Sequence, residues 1–594
     1  MLLLGDSDIV ETNGAILTFM KSTYLLSGFI ASAMSIAVQA NCQRPPAAGP
    51  QLLWGDLHVH TQYSLDANVY GTLASPADAY KFARGEALTR ADGSVVQLER
   101  PLDFVAVTEH AEWLDFTLLC ESEHAAEIPD CQNLLANRGP ENGVSLFRQY
   151  VVPSITAASP QPLEPCAEDP ARCNELALGR WQSVQAQTEA FNAPCEFTTL
   201  HGYEWSHTPN FSHAHRNVIF RTGAVTKQAI DYIHYPSLDS FWNALDQQCR
   251  EEDGCRALTI PHNTNMGDGI SFDASEESVV MQRQRAHYER VVEITQEKGT
   301  SECLPPYGQS GAEDCDFELY ITDHSRPKSA SDFTETEWNT MRSTYVRGLL
   351  GRGLALPTDD TQPSPLRMGV IGSTDTHSAT PGYVDEHVWS GSTLAGTDFD
   401  GAMLRKHWSP GGLAAVWAAE NTREAIFDAL YRREVYATSG ARIGLRFGAT
   451  AGAISEGEGE TCQWRSESGP DIAMGAEAQF QQSPVFSIQA QGDTAALAAI
   501  EMVRLTWRAG TIDERVIGIW GASTPPQQQV CVNWQDGDFD PAVPTLWYPR
   551  VKQQSTPRWT AVQCESVGRC DEFPEVNVSI QERAWGSPIW HIPH

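Results

Sequence analysis

The chain has 594 residues, too many for one ordinary domain and enough for a large catalytic domain with a smaller companion. Its 41 Lys and Arg stand against 76 Asp and Glu, a net charge of −35. Such a surface repels phosphate backbones, which argues against nucleic acid and anionic membrane as partners and says nothing about catalysis.

Taken in chain order, the first feature is an apolar run. "MKSTYLLSGFIASAMSIAVQANC" opens with Lys21, is apolar from Leu25 to Val38 and ends in the small-residue pattern Val38-Gln39-Ala40. This reads as a secretory signal, too short for a stable membrane anchor, with Met20 as a candidate start and Asn41 as the mature N-terminus. Residues 1–40 are thus expected to be an extension and signal, and the protein to be periplasmic or secreted.

From 51 to 440 apolar runs repeatedly end in histidine or carboxylate: "LLWGDLHVH", "LDFVAVTEH", "FTTLHGYEW", "ALTIPHN", "RVVEITQEKG" and "MGVIGSTDTH". Buried parallel strands explain the apolar part, and the polar ends would gather at one rim of a β/α barrel. Helices fall between them. "TETEWNTMRSTYVRGLLGRG" spaces Trp338, Met341, Tyr345 and Leu349 on one face, and "ENTREAIFDALYRREVYATSG" offers Asn421 as N-cap with Glu424 three residues on. The stretches 117–180 and 300–335, rich in Pro, Gly, Cys and acids, read as loops or lids.

Beyond Gly440 the pattern changes, and 441–594 is expected to be a β-rich domain with antiparallel strands in "EMVRLTWRAG" and "RVIGIWG". Trp464, Trp507, Trp520, Trp534, Trp547, Trp559, Trp585 and Trp590 lie there, more as core than as a sugar-binding surface. Five cysteine pairs are close in sequence: Cys120/Cys131, Cys166/Cys173, Cys249/Cys255, Cys303/Cys315 and Cys564/Cys570. They suit disulfides in an oxidising compartment, with Cys462 and Cys531 a possible further bridge and Cys42 and Cys195 left over.

The chemistry sits at the strand ends. His58 and His60 alternate along one strand and can grip one ion, and Asp66 follows from the next loop. His110 ends a second run with Glu109 and Glu112 beside it; Glu204, His213 or His215, His262, and the pair Asp375 and His377 follow. So many buried polar ends need partners, and several divalent cations would supply them. Nitrogen and oxygen donors without sulfur suit Zn, Mn or Fe(II).

In this order, HxH…D, TEH, GxE, H, PH, D-x-H, the sequence resembles the polymerase and histidinol phosphatase (PHP) superfamily of metal-dependent phosphoesterases. The fuller pattern "GDLHVHTQYSLDA…TEHAEW…GYEWS…HRN…PHN…EKGTSE…GSTDTH…YATSGARI" is similar to a large, often secreted branch known as domain of unknown function 3604. The likeness covers most of 52–440 and extends weakly to "RAWGSPIW".

The resemblance implies an α/β fold, a distorted seven-stranded TIM-like barrel with inserted loops, holding two or three divalent ions. It assigns His58, His60, Glu204 and Asp375 to a first ion. Glu204 would bridge to a second ion held by His215 and His262, and Asp66, His110 and His377 would hold a third. Asp66 stands where some members carry histidine. Water shared between two such ions has a pKa near 7 and becomes a nucleophile, so no side-chain nucleophile is needed. Arg216 and Lys298 lie beside strand ends and could neutralise an anionic oxygen of the substrate; Arg442 is a further candidate, and Asn263 could donate to it. The expected function is hydrolysis of a small anionic ester, first a phosphate mono- or diester. The alternatives are a sulfate ester or amide at the same site, or a non-catalytic protein that binds metal and glycan.

Overall fold

The computed structural model describes Cys42 and residues 49–593, apart from 158, 273–276, 310–314, 324–325, 357–363, 393, 395–398, 452–470, 522–523 and 575–577. The expected leader and Cys462 lie outside the described residues.

The apolar runs form buried strands. Gln51–Asp56 runs parallel to Phe104–Ala106, which runs parallel to Thr198–Leu200. Each of these steps has helices in between, the length a parallel crossover needs. At His201 the run "FTTLHGYEW" divides, and Gly202–Trp205 pairs antiparallel with Arg216–Phe220, itself antiparallel to Ala257–Pro261. The connection 206–215 is too short for a crossover, so the chain turns back. Val291–Gln296 and Gly369–Gly372 are again parallel, while Leu413–Ala418 lies antiparallel on the free edge of Gln51–Asp56 and carries Val435–Thr438. The sheets are therefore mixed, where the unbroken apolar runs alone suggested parallel strands.

These strands enclose a core of Leu53, Phe104, Leu200, Leu258, Val291 and Ile371, covered by Ile426, Phe427 and Leu430 of the helix Arg423–Arg432. Gly55 permits the closest strand approach: a Cβ there would lie 2.3 Å from the Phe104 ring. Asn421 does not cap this helix. Thr422, extended at φ −138, accepts from Ala425 N–H, and the Asn421 amide instead donates to the Asp103 carbonyl. The expected helix of Trp338 to Leu349 is two helices, Glu335–Arg342 and Val346–Ala355, with Thr334 and Glu337 forming a capping box on the first. All four face residues are buried. The stretch 117–180 is chiefly helical, including the first half of the helix Pro170–Phe191, and Pro129, Pro165 and Pro170 sit at helix starts, where no N–H is lost.

In the C-terminal part, Leu497–Arg508 and Thr511–Trp520 form the expected antiparallel pair. Thr545–Gln553 joins them to Arg583–Gly586, which pairs with Val435–Thr438, so this part continues the large sheet. Glu302 fastens the junction, accepting from Arg347, Arg550, Tyr548 and Trp585 at 2.7–3.1 Å. Trp547, Trp559, Trp585 and Trp590 are core residues.

All five short-range cysteine pairs are disulfides, and Cys42 joins Cys195 as a sixth among the described residues. The last was not readable, since its partners are 153 residues apart. Six disulfides mark a protein of an oxidising compartment, extracellular or periplasmic. Among the described residues no helix is long and apolar enough to cross a membrane.

Candidate metal centre

Backbone hydrogen bonds bring distant strand ends edge to edge. Asp375 N–H donates to the His58 carbonyl at 3.0 Å and His60 N–H to the Thr376 carbonyl at 2.9 Å. Glu204 N–H donates to the Glu109 carbonyl at 2.9 Å, setting it beside His110. Asp375 takes a left-handed φ of 55, a conformation short polar residues tolerate best.

Three donor groups result. His58 Nε2 lies 3.3 Å from Glu204 Oε2 and 3.1 Å from Asp375 Oδ1, and His60 Nε2 lies 3.2 Å from each of the same two oxygens. Ligands of one tetrahedral ion with bonds of about 2.0–2.1 Å stand about 3.3 Å apart, so this spacing fits a shared ion. The other Glu204 oxygen, Oε1, is 2.7 Å from His215 Nδ1 and 3.2 Å from His262 Nε2. Asp66 Oδ2 is 3.0 Å from His110 Nε2 and 2.9 Å from His377 Nε2. The His60 ring stacks on both His110 and His377, with centroids 4.4 and 4.3 Å away, so the third group adjoins the first.

The outer nitrogen of each ring decides what the inner one can do. Ser64 Oγ donates to Glu109 and accepts from His110 N–H, so it takes the Nδ1 proton of His60 at 2.9 Å. His60 Nε2 then carries a lone pair, has no hydrogen-bond partner, and faces two carboxylate oxygens. Thr208 Oγ1 donates to the Ser206 carbonyl and leaves its lone pair to His215 Nε2–H at 2.7 Å, so His215 Nδ1 is bare as well. His262 Nδ1 donates to the Ile260 carbonyl and His377 Nδ1 to the Asp375 carbonyl. His58 Nδ1 is held by Glu293 at 3.1 Å, and His110 Nδ1 by Ser206, which donates on to Glu112. Such outer contacts fix the tautomer of metal-ligating histidine. A bare nitrogen against carboxylate oxygen is repulsive unless a cation lies between, and the donor set here fits one.

The rings of the cluster differ in charge, since burial lowers each ring while its neighbours lift or lower it. Burial and the neighbouring His377 and His110 push His60 down to about 4, and burial lowers His215 to about 4 despite Glu204, so both are neutral rings. Burial also opposes charge on His110 and His377, but Asp66 outweighs it and lifts them to about 9 and about 10. Glu204, Asp375 and Asp66 are each raised by burial yet held well below the usual carboxylate range, by His110, His58 and His110 first. Buried groups of this kind gather where ions or substrates bind.

The remaining sequence candidates separate. Lys298 belongs to the cluster: its ammonium contacts Asp375 Oδ2 and lies 3.6 Å from Glu297. Asn263 reaches it through Gln296, whose amide donates to both Asn263 and Asp375. Of the two histidines left open, His215 meets Glu204 and His213 stacks on His215 at 4.6 Å. Arg216 points the other way. In the hairpin Glu204 pairs with Asn217 and Trp205 with Arg216, so strand alternation turns the guanidinium to the opposite face, where it bonds Glu289, Ala214 and Ser271. Arg442 donates to the Arg100 and Pro101 carbonyls. Glu293, Gln296 and Ser64 were missed. Glu293 stood within a quoted strand, two residues before Thr295, but only a strand register could have aimed it at His58.

The arrangement is a buried histidine–carboxylate cluster with the donor groups to hold metal ions. A family model described as "Protein of unknown function (DUF3604)" matches residues 47–526 and 522–593, and the chain belongs to this family. No curated protein and no solved structure matches it.

Proposed function

We propose that the chain is an exported metal-dependent hydrolase of PHP type that cleaves a phosphate ester, mono- or diester, on two or three divalent ions of Zn, Mn or Fe. The observation that carries this is the pair of bare nitrogens, His60 Nε2 and His215 Nδ1, aimed at opposite oxygens of one buried carboxylate, Glu204. The order of strand neighbours supports the distorted barrel. It runs from Leu413–Ala418 through Gln51–Asp56, Phe104–Ala106, the 198–205 run, Arg216–Phe220, Ala257–Pro261, Val291–Gln296 and Gly369–Gly372, and then to Val435–Thr438.

His58, His60, Glu204 and Asp375 would hold one ion, Glu204 with His215 and His262 a second, and Asp66 with His110 and His377 a third. Bound there, the ions supply Lewis acidity and lower the pKa of water toward 7. Lys298, fixed by Asp375, places a positive charge where a further anionic oxygen of the substrate gains stabilisation. Glu293, Ser64, Ser206 and Thr208 hold the rings in one tautomer, so the donors need no rearrangement. The overall reaction adds water across the P–O bond and releases an alcohol.

The test is a chromogenic panel of phosphate mono- and diesters, a sulfate ester, a carboxylate ester and an amide, with protein reconstituted in Mn or Zn and with Asp375→Asn. Phosphate ester turnover that vanishes in the variant is expected. Turnover confined to another bond would discard the substrate class, and silence throughout would favour a non-catalytic binding protein.

A further inference from the structure

In so acidic a chain the buried and half-buried arginines are mostly paired with carboxylates, as Arg347 is with Glu302 and Arg433 with Glu477. Arg405 differs. Among the described residues its buried Nε has no hydrogen-bond partner and no ion pair engages its guanidinium. It lies 5.4 Å from the centroid of the Trp408 indole, and the Lys298 ammonium lies 5.6 Å from the same centroid. Trp408 is buried and fixed, its carbonyl accepting from Arg558 at 2.7 Å. Two cations thus share one rigid aromatic platform, one of them against Asp375 of the metal cluster.

Through this indole Arg405 neighbours Lys298 and so the Asp375 side of the cluster. Lys298 is answered by Asp375 and Glu297, whereas Arg405 meets no carboxylate among the described residues, so an oxyanion against its guanidinium would supply the missing counter-charge. A planar guanidinium already held over an aromatic ring is preorganised for such a group.

Resting on the phosphoesterase reading, we propose that Arg405 on Trp408 is a subsite for a second oxyanion, so that the substrate is a phosphate ester whose leaving group is itself anionic. Lys298 serves the phosphoryl end beside Asp375; Arg405 serves the far end and sets specificity.

Calorimetry on the Mn-loaded protein tests this with two non-hydrolysable probes, 3-phosphonopropionate and propylphosphonate, which differ only in a terminal carboxylate. A charge-assisted contact predicts about tenfold tighter binding of the carboxylated probe. Arg405→Gln should bring the two probes together without changing propylphosphonate, and Arg405→Lys should keep part of the difference. Equal affinities in the unaltered protein, or equal weakening of both probes by Arg405→Gln, would overturn the subsite while leaving the phosphoesterase reading in place. Binding of neither probe would overturn both. Unchanged far-ultraviolet dichroism and Tm establish that the variants are folded.

Discussion

Glu204 is the hinge of the metal assignment, and replacing it by glutamine tests that assignment with little change of shape. Its Oε2 stands 3.3 and 3.2 Å from His58 and His60, and its Oε1 stands 2.7 and 3.2 Å from His215 and His262. An amide keeps one oxygen donor, turns the other into an NH2 that cannot ligate, and removes the charge shared by both groups. Loss of an outer contact alone weakens metal binding by about 10–100-fold. Loss of a bridging ligand should exceed the upper figure for at least one ion, or about 3 kcal/mol. The assay is metal content by plasma mass spectrometry after dialysis against a fixed chelator-buffered concentration, with Asp66→Asn in parallel. Glu204→Gln is expected to lose at least one ion of the first two groups, and Asp66→Asn the ion of the third only. An unchanged ion count and affinity in Glu204→Gln would refute the bridging role.

Glu293→Gln, which weakens the acceptor on His58 Nδ1, should reduce metal affinity by about 10–100-fold without unfolding the protein, measured by chelator competition. Arg216→Met breaks a fully buried pair with Glu289 and should cost about 3–5 kcal/mol in denaturant unfolding. Activity per folded molecule should persist, and a large loss of kcat at unchanged stability would make Arg216 a substrate contact. Burial, with Glu318 nearby, pushes the Glu582 carboxyl from 4.5 up to about 8. The folded chain then binds that proton more tightly than the unfolded one, so stability is present at low pH and falls as pH rises from about 4.5 through about 8. Glu582→Gln should flatten the fall in Tm between pH 5 and pH 9; an equally steep fall would assign it elsewhere.

Much of the cluster was legible because its histidines and carboxylates fall at strand ends, where an apolar run stops at a charged residue. His58 with His60, and Asp375 with His377, announced themselves by two-residue spacing, and the ordered motifs placed Glu204 and His262. What the sequence hid depends on register and on long-range packing. Nothing in "HRNVIF" says that His215 faces inward and Arg216 outward; the pairing of Glu204 with Asn217 does. Glu293 reads as a residue of a buried strand until that strand is set beside His58. The fold was legible in its strands and less so in their directions, since "FTTLHGYEW" gives no sign of dividing at His201. The segment 117–180 reads as loops or lids from its Pro, Gly, Cys and acids, whereas Pro129 and Pro170 start helices.

Turnover of a phosphate ester that depends on metal in this cluster is the property that decides the proposed function. The direct measurement strips the full chain with chelator, reloads it with Mn or Zn, and follows 4-nitrophenyl phosphate and bis-4-nitrophenyl phosphate. Activity that disappears on stripping, returns on reloading and stays absent in His60→Ala is the predicted result. Turnover that is indifferent to metal, or a fully loaded protein that cleaves no phosphate ester, would contradict it.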